Sequence, residues 1–233
     1  MNTVPLYVLI EAAAATPGEK HFTGNIKDFD AFTAPANLAK LDAAHAGAFA
    51  FLAFHPAADR AMAAYVAGQT VASDAGEKVL VLFIEQQAVV SDIAHAAALS
   101  AVEGMQTDVG EHPAYTLARW LFQGKSAPPL PGVVLFNHFC GDVSAVFVGL
   151  AGLDEDTVRE RLREVFSMAA KASQVEPDAF AGKLGAALAL RGITYVKSEH
   201  LSPSEWLARA WRLVRGKKYE LLAFLASFIP RTS

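Results

Sequence analysis

Five apolar runs, rich in β-branched and aromatic residues, predict the strands of one sheet. Each run has the length of an ordinary strand and is followed within three residues by Gly, Pro or a charged residue. The run at 78–84 is apolar almost throughout, so we expect that strand to be covered on both faces at the centre of the sheet. The five runs lie at 4–10, 48–54, 78–84, 133–139 and 143–150, and a shorter one lies at 193–196.

Helices are predicted between most of these runs, because apolar residues recur there at helical spacing. Pro35 and Pro56 stand where two of the helices would begin. A further, strongly amphipathic helix begins at Asp154, with Val158, Leu162, Val165 and Phe166 on its apolar side. Alternating strands and helices predict an α/β fold. The other helices are expected at 29–46, 56–72, 89–102 and 113–122.

A hairpin and a domain boundary complete the predicted architecture. Cys140, Gly141 and Asp142 separate two apolar runs, and Gly-Asp between strands favours an antiparallel hairpin, which makes the sheet mixed. Beyond Ser173 the pattern is helical apart from 193–196. We therefore expect an α/β domain at 1–173 and a helical C-terminal extension at 174–233.

Composition narrows the class of protein. The chain is 53% hydrophobic with a net charge of -4, which argues against a nucleic-acid partner. Its single cysteine excludes an intramolecular disulfide and fits a reducing compartment, so we expect a cytoplasmic protein. Glu11 interrupts the apolar stretch at 1–15, whose residues 4–10 we interpret as a buried strand rather than part of a signal peptide. No run is long enough for a membrane span.

The order of elements resembles the thioredoxin fold. The similar features are an aromatic strand at 51–54 that leads into a helix, the segment beginning Pro131-Gly132, its hairpin partner at 145–150, and the closing helix at 154–170. The resemblance implies a three-layer mixed sheet, with Pro131 at the position of the family's cis-proline. A flavodoxin-like open sheet is the alternative, but a parallel doubly wound sheet does not readily explain the hairpin.

The chain departs from that family at the reactive motif. Where the family has Cys-x-x-Cys, this sequence has His55-Pro56-Ala57-Ala58-Asp59-Arg60, so redox activity is not implied. The resemblance instead implies a ligand groove at this helix start. The ligand-binding residues expected in it are His55, Asp59, Arg60, Pro131 and His138; the alternative interpretation is that His55 and Pro56 simply close a strand.

Other reactive patterns are weaker. His138, Cys140 and Asp142 are the residue types of thiol catalysis, but we interpret Cys140 as a partly buried apolar residue, so we predict no catalytic residue. Asp92 and His95 are too few ligands for a zinc site. Gly124-Lys125-Ser126 lacks the first glycine of a phosphate-binding loop. We therefore expect neither a metal nor a cofactor.

The region after residue 200 has a distinctive pattern. Ser202 or Ser204 is placed to cap a helix that combines tryptophans with cations, and a nearly apolar stretch follows Gly216. Such a basic amphipathic helix suits a protein partner, self-association or an anionic membrane surface; alternatively the tail folds back and its tryptophans become core anchors. The residues expected to contact a partner or a membrane are Trp206, Arg209, Trp211, Arg212, Arg215, Lys217 and Lys218.

The sequence therefore favours a redox-inactive thioredoxin-like binding module, acting as an adaptor, assembly or regulatory protein. Two alternatives stay open. One is a non-redox enzyme that uses the groove on a small conjugate, and the other is a membrane-surface effector that acts through the tail.

Overall fold

The computed structural model describes eleven parts of the chain. The predicted helix at 89–102 lies outside them, as does most of the first apolar run. The described residues are 4–5, 35–44, 47–68, 70–86, 113–122, 129–141, 143–174, 177–198, 202, 205–206 and 219–224.

A mixed open sheet organises the described residues. Its strand order is β1-β7-β3-β2-β4-β5-β6. Strands β2 and β3 run parallel, whereas every other neighbouring pair among the described strands is antiparallel. The strands are β1 Val4–Pro5, β2 Ala48–Ala53, β3 Val79–Gln86, β4 Gly132–Phe136, β5 Val146–Gly149, β6 Tyr195–Lys197 and β7 Tyr219–Phe224.

Six α-helices and one 3-10 turn accompany the sheet in the described parts of the chain. Pro35 opens the first helix, as the sequence predicts, whereas the helix predicted at 56–72 is divided into two. The helices are α1 Pro35–Ala44, α2 Arg60–Ala67, α3 Val71–Ala75, α4 Pro113–Leu121, α5 Glu155–Ala172 and α6 Phe180–Leu190, with a 3-10 turn at Pro177–Ala179.

Strand β2 occupies the middle of the sheet and is buried on both faces. Ala48, Ala50 and Leu52 join a hydrophobic cluster that also contains residues of α2, α3, α5 and α6. Phe49 and Phe51 join a second cluster, which contains residues of α1 and α4. Because successive side chains of a strand point to opposite faces, the helices lie on both sides of the sheet.

The predicted antiparallel hairpin partners are confirmed, since β4 pairs with β5 from Gly132↔Gly149 to Leu135↔Val146. Strand β4 is shorter than the apolar run at 133–139. It ends at Phe136, and beyond it the backbone N–H groups of Phe139 and Cys140 donate to the side chain of Asp42.

The amphipathic helix α5 is also confirmed. Asp154 caps it by accepting a hydrogen bond from the Thr157 N–H at 2.8 Å. The four apolar residues predicted for its inner face, Val158, Leu162, Val165 and Phe166, are all buried. On the outer side, Arg159 and Arg163 both bind Asp74, which fastens α3 to α5.

The helical description of the C-terminal extension requires a correction. Residues 219–224 form strand β7, which lies between β1 and β3, and the short strand at 195–197 extends the sheet beyond β5. The stretch Tyr219–Phe224 is short and, apart from Glu220, apolar, so it carries no periodicity that separates helix from strand. In the strand it provides backbone partners along β3. The boundary at residue 173 stays a prediction.

None of the helices in the described ranges is both long enough and apolar enough to cross a bilayer.

Candidate functional site

The candidate site lies where β2 ends and β4 begins. Ala53 of β2 pairs with Gly132 of β4, so the chain that leaves β2 at His55 lies beside the chain that enters β4 through Pro131. We call residues 55–60 together with Pro131 the turn site. The register thus places His55 near Pro131, and Asp59 and Arg60 follow His55 in the same turn.

Local hydrogen bonds fix the turn between β2 and α2. The N–H groups of Ala58 and Asp59 donate to the His55 carbonyl at 3.1 and 2.8 Å. The Ala57 N–H donates to the His55 ring nitrogen Nδ1 at 3.1 Å. A ring nitrogen that accepts a hydrogen bond carries no proton, so a neutral His55 has its proton on Nε2. The turn is therefore a defined structure, with Ala57, Ala58 and Arg60 exposed.

The Asp59 carboxylate points back into this turn. Asp59 stands at the N-cap of α2 but makes no side-chain capping bond. Its Oδ2 instead accepts the His55 N–H at 2.6 Å, and the same oxygen accepts the hydroxyl of Tyr115 from α4. The carboxylate therefore joins the turn to a helix distant in sequence.

Tyr115 is a site residue that the sequence analysis missed. Burial raises the pKa of its hydroxyl well above the ordinary value, and the hydrogen bond and charge of Asp59 act in the same direction. Tyr115 is therefore protonated at neutral pH and acts as a donor. Its ring also meets the His55 ring edge-on, with centroids 6.4 Å apart. No local pattern connects Tyr115 with Asp59, since 56 residues separate them.

The second wall of the turn site is the segment that enters β4. The Leu130–Pro131 peptide bond is cis, which confirms the expectation for Pro131. The Pro131 carbonyl accepts the Leu150 N–H at 2.7 Å. Pro129 packs closely on Gly149, where an added Cβ would lie 2.7 Å from the Pro129 Cγ. Strand β5 therefore holds this segment in place.

His138 lies at the other end of the sheet and does not join the turn site. It follows Phe136, which pairs with Phe49, four residues before Ala53 along β2. At ~3.3 Å per residue, that register separates the two ends by about 13 Å. Burial lowers the pKa of His138, against the opposing effect of Asp42 and Asp178. Its Nδ1 lies 3.0 Å from the Asn137 Oδ1.

Cys140 lies near His138, on the loop that Asp42 holds. Asp42 of α1 accepts the N–H groups of Phe139 and Cys140 at 2.8 and 3.0 Å. Burial raises the pKa of the Cys140 thiol, and the hydrogen bond and charge of Asp42 raise it further. The thiol is therefore protonated at neutral pH, which makes it a poor nucleophile. Asp142 lies outside the described residues.

Trp206 is a core residue rather than a surface contact. It is only 1% exposed, and its ring packs edge-on against Phe51 with centroids 4.7 Å apart. Its indole N–H donates to the Leu117 carbonyl at 3.5 Å. This placement agrees with the alternative in which the tail folds back on the domain. The remaining predicted contact residues lie outside the described residues: Arg209, Trp211, Arg212, Arg215, Lys217 and Lys218.

Within the described ranges, no group of three or more His, Cys, Asp or Glu side chains is placed to hold a metal ion. Comparisons of the chain with protein-family models, curated proteins and solved structures found no match. The described residues therefore define a structural class. It is an α/β protein with a mixed open sheet, in which a cis proline stands beside a cysteine-free turn.

Proposed function

We propose that this chain is a redox-inactive thioredoxin-like binding module, which acts as an adaptor, assembly or regulatory protein through its turn site. The order of strands and helices around that site supports this proposal. A buried aromatic strand leads through a turn into α2, a cis proline precedes β4, β5 returns antiparallel, and the amphipathic helix α5 follows.

The observation that carries the proposal is that the Asp59 carboxylate binds groups of the protein itself. This carboxylate stands at the helix start where the resembled family has its reactive cysteines, and it is bound by the His55 N–H and the Tyr115 hydroxyl. A carboxylate held by two donors stabilises the shape of the turn. A turn of fixed shape lowers the entropy cost of recognition, which suits a binding surface.

The surface offered to a partner combines small and charged groups. Ala57, Ala58 and Arg60 are exposed on the turn, and Pro129 is exposed on the opposite wall. Arginine is enriched at the centres of protein interfaces, and small neighbours let a partner backbone approach. A protein partner is therefore the ligand class we propose.

Site-specific photo-crosslinking tests this proposal. Ala57 is exposed on the turn and is replaced by a photoreactive residue. On irradiation of the cells that express the protein, we expect this residue to form an adduct with one specific partner protein. The matched control places the same residue at Lys171, which is exposed on α5. Adding Arg60→Glu to the Ala57 probe should abolish the adduct while thermal unfolding stays unchanged. No adduct at Ala57, or the same adducts from both positions, would contradict the proposal.

The enzyme alternative is weaker on chemical grounds. Its polar groups included His138, which lies at the far end of the sheet from the turn site. The hydroxyl of Tyr115 has a raised pKa and is therefore a poor base at neutral pH. The thiol of Cys140 also has a raised pKa.

In the membrane alternative, some apolar residues of the C-terminal segment are no longer available to contact a bilayer. Trp206 is buried, and residues 219–224 pair with β3 and β1 in the sheet. What favours this alternative is the pattern of residues 207–218, which combine five cations and no acidic residue with Trp211. Binding of the full chain to anionic vesicles, but not to neutral ones, would support it over the protein-partner proposal.

A further inference from the structure

We draw no further inference here: the strongest candidate, the apolar surface patch formed by Leu190 at the end of α6 and Tyr195 on the edge strand β6, which are 88% and 38% exposed, carries nothing because no feature of the described residues shows what covers it.

Discussion

At the scale of single residues, two carboxylates bind loop or turn backbone at opposite ends of the sheet. Asp59 accepts the His55 N–H at one end. Asp42 accepts the N–H groups of Phe139 and Cys140 at the other. Hydrogen bonds to charged groups contribute more than neutral ones, so each carboxylate is a local determinant of loop structure.

The substitution Tyr115→Phe tests the importance of the Asp59 contact. It removes the hydroxyl donor to Asp59 and leaves the ring in place. We expect the free energy of unfolding to fall by about 1.5–3 kcal/mol, the usual range for a hydrogen bond to a charged group. Urea unfolding measures this change. The control is Tyr195→Phe on β6, which is exposed and should change stability much less. Equal effects of the two substitutions would refute a special role for Tyr115.

The substitution Asp42→Asn tests the electrostatic control of Cys140. The negative charge of Asp42 raises the pKa of the thiol, so its removal should lower that pKa and increase the thiolate fraction at pH 7.5. Each unit of decrease raises the thiolate fraction about tenfold, and alkylation should accelerate accordingly. Some elevation should persist, because burial is the larger cause.

Alkylation kinetics with a small haloacetamide provide the measurement for Cys140. Asp178→Asn is the matched control, since Asp178 influences the pKa of His138 but is not among the groups that shift Cys140. In denaturant, all three proteins should react at the same rate. An unchanged rate for folded Asp42→Asn, or an equal increase for Asp178→Asn, would show that the charge of Asp42 does not control the thiol.

These residue contacts also show what the sequence could and could not predict about the site. His55, Asp59 and Arg60 follow a strand directly, so local sequence was sufficient to group them. Tyr115 and Asp42 act across 56 and 97 residues. Only the folded sheet brings such groups together, and a single sequence contains no periodicity that connects them.

At the scale of elements, the short helix α3 depends on α5. Asp74 of α3 has a side chain only 4% exposed, and it binds Arg159 and Arg163 at 3.2 and 2.8 Å. A helix of five residues has little stability of its own. We therefore infer that this ion-pair network, together with apolar contacts, holds α3 against α5.

The substitution Asp74→Asn tests this network. It removes the charge from a buried position that two guanidinium groups approach, so we expect Tm to fall by several degrees. High salt should lower Tm less in the variant than in the unsubstituted protein, because part of the interaction is exposed to screening. Thermal unfolding at low and high salt provides both measurements.

Glu164→Gln is the control for the Asp74 experiment. It removes one partner of the exposed Arg191 pair, whose charged atoms are 3.5 Å apart. Exposed pairs of this kind contribute little to stability, so Tm should hardly change. If Glu164→Gln lowered Tm as much as Asp74→Asn, the network at Asp74 would have no particular role.

The helices and strands that could be predicted from the sequence are those with a clear hydrophobic pattern. Helix α5 was predicted with its inner residues because charged and apolar residues alternate at helical spacing over its whole length. Strand β2 was predicted because a compact aromatic run is closed by His55 and Pro56. Strand β7 was missed because a six-residue stretch that is apolar except for Glu220 fits either a buried strand or a buried helix.

At the scale of the whole molecule, the sheet is completed by a strand from the C-terminal part of the chain. Strand β7 pairs with β3 at six positions, from Val81↔Phe224 to Gln86↔Tyr219. Without it, β3 would present unpaired backbone groups along that edge. The stability of the α/β region is therefore expected to depend on residues beyond the boundary predicted at residue 173.

Engineered disulfides test this pairing directly. Opposite residues on neighbouring strands have Cβ atoms about 4.5–5.5 Å apart, and the closer, non-hydrogen-bonded pairs approach the ~3.5–4.5 Å of a disulfide. A shift by one residue turns the side chain to the other face. In a Cys140→Ser background, the cysteine pairs Leu82→Cys with Ala223→Cys and Phe83→Cys with Leu222→Cys follow the observed register. We expect at least one of these pairs to oxidise readily.

The pair Phe83→Cys with Leu221→Cys is the shifted control and should stay reduced. Gel mobility and mass spectrometry after mild oxidation measure the outcome. Cross-linking of the shifted pair, or of none of the three, would mean that residues 219–224 do not lie beside β3 in this register.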